Sequence, residues 1–377
     1  MSFFYFIPPQ LYHTVFTLLI CGLCFITSFY YSFSNSNICL SKKSNLELTF
    51  SILLSIIIIL FLGPRPVHIA FVDTGYYVFG YNNVIDSYIN FSFTEEWVWH
   101  NFEFFCKDIG LSAQQFLLVV EILYVGIALL VSLKLFPNHA WIAILFFLSS
   151  FSFYAYGVNG IRNGLACHIV MLTVILLSGK TWEKIVSVAL MFIAYGIHRS
   201  TAVPILCLIT SFFFIRNTKI ALVFWFFSIF ISLIAGYFVG NIFNELGFFE
   251  EKSEYFIEAS ESETSTTFSS TGFRFDFLFY SIFPIIMVWY LTVKRNFHDL
   301  TYNLIANTYI LANAFWIMVI RATFSNRFAY LSWFLYPLVI VYPLLRMKIW
   351  DNQDKWLAII LLAYAAFKFL MTFVYYG

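Results

Sequence analysis

The chain has 377 residues, of which 61% are hydrophobic, 22% aromatic and only 11% charged, and its formal net charge is +1. Soluble domains carry roughly 25% charged residues, so a water-soluble globule is excluded. With neither sign in excess, what matters about charge here is where it falls.

Apolar runs of about 18 residues or more, enough to cross a hydrocarbon core, recur along the chain. They lack barrel-type alternation, so each must be a helix that closes its own backbone hydrogen bonds. The pattern predicts spans at about 11–34, 46–63, 115–135, 139–157, 160–179, 181–197, 200–215, 218–243, 274–293, 301–320, 326–346 and 356–375. That is an all-α, polytopic bundle of about twelve helices in a single membrane domain, 1–377. Four spans crowd into 139–215 and two of those are short; ten or eleven full crossings is the alternative. The first helix is expected to be retained, because Met1–Gln10 has no basic residue and no small-x-small cleavage pattern follows it.

The loops after spans 1, 3, 5, 7, 9 and 11, with their flanking helix ends, hold 12 of the 21 Lys+Arg but only five of the 20 acids. Lys42, Lys43, Lys134, Lys180, Lys184, Arg216, Lys219, Lys294, Arg295, Arg346, Lys348 and Lys355 form that set. Such an excess predicts a cytoplasmic side, with both termini outside. The opposite side keeps Arg65, Arg162, Arg199, Arg274, Arg321 and Arg327 against the topological penalty, which suggests a polyanionic ligand. Cys106 is the one cysteine in an external loop, so no structural disulfide is expected. No HExxH, carboxylate–His cluster, P-loop or dinucleotide GxGxxG occurs. No metal or cofactor is therefore expected, and any driving force must come with the substrate.

Two external segments are too long for turns. In 64–114, Trp97, Trp99, Phe102, Phe104 and Phe105 interleave with Glu95, Glu96 and Glu103, which reads as short amphipathic helices at the interface. They serve either as a membrane anchor or as a lip that stacks on sugars. The second, 245–273, starts acidic and ends in a Ser/Thr-rich run with too little apolar content to order itself. It reads as a flexible loop, either a gate or an idle connection.

Four polar groups project from external helix ends: Gly63-Pro64-Arg65 leading to Asp73, Tyr76 and Tyr77; Tyr154 to Gly164, with Asn159, Arg162 and Asn163; Gly196 to Ser200; and Arg321 with Arg327 and Tyr330. The planar guanidinium fork gives two parallel charge-assisted bonds to a phosphate and does not deprotonate. A single Arg at a helix end is more simply a side chain that snorkels to headgroups. Arg65, Arg162, Arg199, Arg321 and Arg327 together are expected to share an anionic site. His198 is the His in a compact polar motif; it is either a base for a sugar hydroxyl or a helix–helix hydrogen bond.

Gly63-Pro-Arg65, Asp73-Thr-Gly-Tyr76, Asn159-Gly-Ile-Arg162-Asn163-Gly-Leu165-Ala166, His198-Arg-Ser200 and Arg327-Phe-Ala-Tyr330, in this order over about 50–345, resemble the EpsG-type branch of the Wzy polysaccharide polymerases. Asn163 stands where Gln is common, and the Gly that many relatives carry just before Asp73 is absent. The resemblance implies a GT-C-like, all-helical enzyme of the bacterial inner membrane. It would join undecaprenyl-diphosphate-linked oligosaccharide repeats at the periplasmic face, building O-antigen, capsule or exopolysaccharide. The implied partners are that lipid-linked oligosaccharide, membrane lipid and a chain-length regulator protein, with no nucleic acid. On this reading Arg162 and Arg199, helped by Arg65, Arg321 or Arg327, hold the departing diphosphate. His198 takes the acceptor proton, with Asp73 as the rival base, and Tyr76, Tyr77, Tyr154, Asn159, Asn163 and Tyr330 contact sugar. A lipid-linked oligosaccharide flippase, an O-antigen ligase and a non-catalytic scaffold are the alternatives. Gathering of the cations at external ends, not along a path through the bilayer centre, favours an enzyme over a flippase.

Overall fold

A computed structural model describes residues 4, 6–33, 45–245, 273–321 and 325–375, and among them every regular element is a helix. In chain order α1 is Tyr12–Phe33, α2 Asn45–Leu62, α3 Thr74–Asn82, α4 Trp97–Asp108, α5 Ala113–Leu135, α6 Ala140–Leu148, α7 Phe151–Val158 and α8 Ile161–Leu177. Then come α9 Thr181–Ile197, α10 Ala202–Phe213, α11 Thr218–Glu245, α12 Phe275–Trp289, α13 Leu300–Met318, α14 Ser325–Trp333, α15 Tyr336–Arg346 and α16 Gln353–Leu370. Residues 246–272 of the expected external loop, and the connection carrying Cys39, Lys42 and Lys43, lie outside the described residues.

Among the described residues seven helical stretches are long and apolar enough to cross a membrane, or eight when α6 and α7 count as one broken span. The expected figure of about twelve is not reached on that measure. Ile161–Leu177 and Arg199–Phe213 are apolar but shorter, and α13 interrupts its apolar run with Asn303, Asn307 and Asn313. Segment 64–114 contains two short helices, α3 and α4, the latter burying Trp99, Glu103 and Cys106.

The chain forms two compact units, Met1–Thr201 with Ile340–Gly377, and Ala202–Val339. In the first, α1 packs on α16, α2 on α5, and α8 on both α5 and α9. Between Gly164 and Leu177 almost every residue of α8 is buried, so its first turn has a fixed support. Two caps set element starts here: Ser112 and Gln115 form a reciprocal capping box on α5, and Glu183 accepts from the Lys180 backbone and from Lys134 at α9.

The span expected at 139–157 is instead α6 and α7, which meet at a 70° bend. A bend within an apolar bundle strands helix-end carbonyls that water cannot reach. Lys368 of α16, 2% exposed, supplies the donors: its Nζ gives hydrogen bonds to Leu148 O at 3.1 Å and Ser150 O at 3.3 Å. A cation also suits the partial negative charge of a helix C-terminus.

The second unit is tied by a buried polar network across four helices. Asn313 of α13 accepts from Trp225 Nε1 of α11 at 2.8 Å and donates to Ser281 Oγ of α12 at 3.1 Å and Ser332 Oγ of α14 at 3.0 Å. Trp333 Nε1 adds a 2.8 Å bond to the same Ser281. Interhelical hydrogen bonds of this kind supply association that lipid-facing apolar contact cannot.

Lys368→Met keeps the aliphatic stem and removes the donor, so Leu148 O loses this bond and Ser150 O keeps only its 3.2 Å bond from Phe153 N. Purified protein carrying it should lose about 1–3 kcal/mol of stability. A melting temperature equal to or above that of the parent would show that the bend does not rely on this side chain.

Candidate active site

The site grows from the start of α8. After α7 the chain turns through Asn159 and Gly160, and Arg162 falls in the first turn of α8. Gly164 lets that turn close, because a Cβ there would lie 2.8 Å from Tyr156 O. A helix N-terminus carries partial positive charge, and a cation in its first turn adds to it. The position is therefore electrostatically unfavourable until an anion faces it.

The resident anion is Glu96. It stands at the N-cap position of α4, yet its side chain makes no cap bond there. One carboxylate oxygen accepts from Arg162 Nη1 and the other from His198 Nδ1. Burial opposes the charge on Glu96, but His198, Arg162 and a backbone hydrogen bond from Arg199 outweigh it and hold the carboxyl below its ordinary range.

The end of α9 grips the same loop at several points. Tyr195 Oη donates to Phe93 O at 2.8 Å, and Arg199 Nη1 donates to Thr94 O at 3.0 Å. Gly196 makes the approach feasible: a Cβ on it would sit 2.4 Å from Val98 Cγ2 and 2.9 Å from Trp97 Nε1. His198 then leaves α9 in an extended conformation, with φ −153°.

Tyr77 completes the group. Its ring centroid lies 5.9 Å from the Arg162 guanidinium carbon, and its hydroxyl donates to Asn159 O at 3.2 Å. Several polar atoms here are buried without a hydrogen-bond partner: Arg162 Nε, Asn159 Oδ1, Trp97 Nε1 and Ser200 Oγ. Such atoms are costly unless the site is built to receive a polar group.

Of the residues singled out from sequence, Arg162, His198, Arg199, Tyr77 and Asn159 come together. Asn163 follows on α8, where its Oδ1 accepts from the Cys167 thiol at 3.1 Å. Tyr76 is 58% exposed on α3 beside Tyr77, and Asp73 is half-buried at the α3 N-cap without a capping bond. Tyr154 is stacked on His13, with ring centroids 4.5 Å apart.

Arg65 has a different setting. It is fully buried, donating through Nη1 to Leu62 O at 2.8 Å, through Nη2 to Val158 O at 3.1 Å and through Nε to Thr74 Oγ1 at 2.9 Å. One guanidinium thus caps the C-termini of α2 and α7 and pins the start of α3. Arg321, Arg327 and Tyr330 belong to the second unit. There Arg321 lies 5.9 Å from the Phe273 ring, and Tyr330 packs on Trp333. Arg274 of that unit is paired with Asp276.

Glu96 and Glu103 are given no site role by the sequence, because acids among aromatics look like the solvated face of a short helix. The available signal was charge balance: acids clustered on the same expected side as the unexplained arginines. Burial pushes the Glu103 carboxyl up to about 7, although Trp99 and Arg162 pull it back. An acid raised in this way stabilises the fold fully below its ordinary value of about 4.5, and that contribution is lost as pH rises through about 7. Wild-type protein should therefore be less stable at pH 8 than at pH 5, by at most about 3 kcal/mol for this group, and melt lower. Glu103→Gln should flatten the difference, and equal pH dependence in both proteins would remove Glu103 as its source.

No curated protein and no solved structure matches the chain. A family model does, across residues 48–377, which takes in the whole Glu96 cluster, Asn159 to Arg162, and the late Arg327 and Tyr330. On that match the chain belongs to the EpsG family.

Proposed function

We propose that this protein is a polysaccharide polymerase of the bacterial inner membrane. It joins oligosaccharide repeats carried on undecaprenyl diphosphate, by glycosyl transfer at the periplasmic face. Membership of the EpsG family supports polymerase activity of the glycosyltransferase type. The apolar helices support a multi-pass membrane protein. The observation that carries the mechanism is the carboxylate of Glu96, held between Arg162 and His198 at the start of α8.

In the proposed step a hydroxyl oxygen of the acceptor sugar bonds to the anomeric carbon of the donor chain. The bond from that carbon to the diphosphate oxygen breaks, and its electron pair leaves on the diphosphate. Glu96 occupies His198 Nδ1, which assigns the proton to that nitrogen and leaves Nε2 to take the hydroxyl proton. This is the orienting role that a carboxylate plays for histidine in hydrolase triads. Arg162 and Arg199 neutralise charge building on the diphosphate. Arg162 has capacity for this, since its Nε is unpartnered and it sits where a helix terminus already favours an anion. Tyr77 and Tyr76 offer ring faces to sugar, with Asp73 and Asn159 as hydrogen-bonding groups beside them. Arg65 acts at one remove, by fixing the ends of α2 and α7.

Arg162→Ala, at equal expression, should cut polymer formation by about 10²–10³-fold while single capped repeats persist at the cell surface. Arg162→Lys should lose most of the activity too, because a point charge cannot replace the fork. Normal chain lengths in either variant would eliminate Arg162 from the step. Loss of all repeats from the surface of a deletion strain would instead indicate a flippase, and polymer left on its lipid carrier a ligase. In purified protein supplied with a lipid-linked repeat, Glu96→Gln and His198→Ala should each abolish the ladder. A ladder from His198→Ala would transfer the base role away from His198.

A further inference from the structure

A cavity of about 320 Å³ opens within the second unit, at the end of that unit where α11 begins. Its lining includes Arg216, Asn217, Thr218, Lys219, His298 and Asn303. The volume falls at the lower end of the roughly 300–1,000 Å³ typical of small-molecule sites. Nothing in the proposed glycosyl transfer uses it.

Three cationic or protonatable side chains, Arg216, Lys219 and His298, are exposed at its rim. Among the described residues that line it, none is acidic. Asp299, the acid next to His298 in sequence, caps α13 by accepting from Tyr302 N at 2.7 Å. The cavity also lies at the N-terminus of α11, a helix of 28 residues, whose partial positive charge points the same way.

Basic residues on a connection are commonly a topology signal, and charge alone would prove no more than that. The cavity floor is a different kind of observation. Thr218 is 4% exposed and its Oγ1 is buried without a hydrogen-bond partner. Asn303 Oδ1 is also buried and unpartnered. A topology signal needs charge in solvent; it does not need unsatisfied polar atoms beneath that charge. The hydroxyl of Thr218 can donate to an anion. Asn303 can accept the proton of a hydrogen phosphate or, with its amide turned over, donate through Nδ2.

We propose that this cavity is a second anion site, distinct from the Glu96 cluster, that takes a phosphate monoester or free hydrogen phosphate. Arg216 and Lys219 supply the charge, His298 closes the rim, and Thr218 and Asn303 bond the phosphoryl oxygens. By the charge distribution of the loops, this end of α11 faces the cytoplasm. An anionic lipid headgroup and soluble phosphate are the two sources of that chemistry.

Full-length protein purified in neutral detergent would be titrated with inorganic phosphate. Parallel samples would receive phosphatidate or phosphatidylcholine in mixed micelles, with the melting temperature as readout. A rise with inorganic phosphate identifies a free-anion site, and a rise with phosphatidate alone identifies a headgroup site. Either response should weaken at least tenfold in apparent affinity in the Arg216→Gln/Lys219→Gln double variant and, independently, in Thr218→Val. Arg162→Ala should leave unchanged the part of the response that the double variant removes, which separates this site from the proposed reaction centre. Absence of any response, or equal affinity in all variants, would overturn the proposal. A response lost in Arg162→Ala but kept in the double variant would overturn it equally, by placing the anion elsewhere.

Discussion

A single carboxylate, Glu96, organises the polar cluster at the start of α8. It is largely buried, and such a charge is tolerated only where partners compensate its lost hydration. Arg162, His198 and the backbone of Arg199 do so together. The converse also holds. Arg162 sits in the first turn of α8, where the helix dipole repels it, and Glu96 makes that placement tenable. Each charge is the condition for the other, so α4, α8 and the end of α9 are fixed relative to one another. An anionic substrate would compete with Glu96 for the same guanidinium. The site is thus assembled around a carboxylate in the place where a phosphate would be stabilised.

Behind that cluster, the geometry rests on how broken helices are terminated. A helix end buried inside an apolar bundle has carbonyls with no water to satisfy them. Two buried cations solve the problem at three ends. Lys368 serves the C-terminus of α6, and Arg65 serves those of α2 and α7 at once. Because α7 leads directly through Asn159 into α8, a fixed α7 terminus positions Arg162. The same residue type therefore does two jobs within a short stretch of the fold. Arg162 faces a polar cluster, whereas Arg65 is consumed by the scaffold.

Much of the architecture was legible in the sequence because the bilayer imposes a one-dimensional rule. Long apolar runs at α1, α2, α5, α11, α12 and α16 were readable from hydropathy alone. The motif from Asn159 to Arg162 and the one around His198 were readable as polar residues placed at helix ends. What stayed hidden was pairing. Glu96 lies far from Arg162 and His198 in sequence, and nothing local distinguishes it from Glu95, which is exposed. The 70° bend was equally hidden, since the residues flanking Ser149 and Ser150 in 140–157 are almost all apolar or aromatic.

By itself, then, the sequence determined the class of molecule and the list of candidate chemical groups. Hydrophobic length and charge placement act on each segment separately, so they need no partner to be read. The tertiary structure alone decided which arginine caps a helix, which one meets an acid, and which acid that is. Those outcomes depend on distance and burial between segments remote in the chain. A guanidinium has the same formula at Arg65 and at Arg162; what differs is whether helix-end carbonyls or a carboxylate lie within reach.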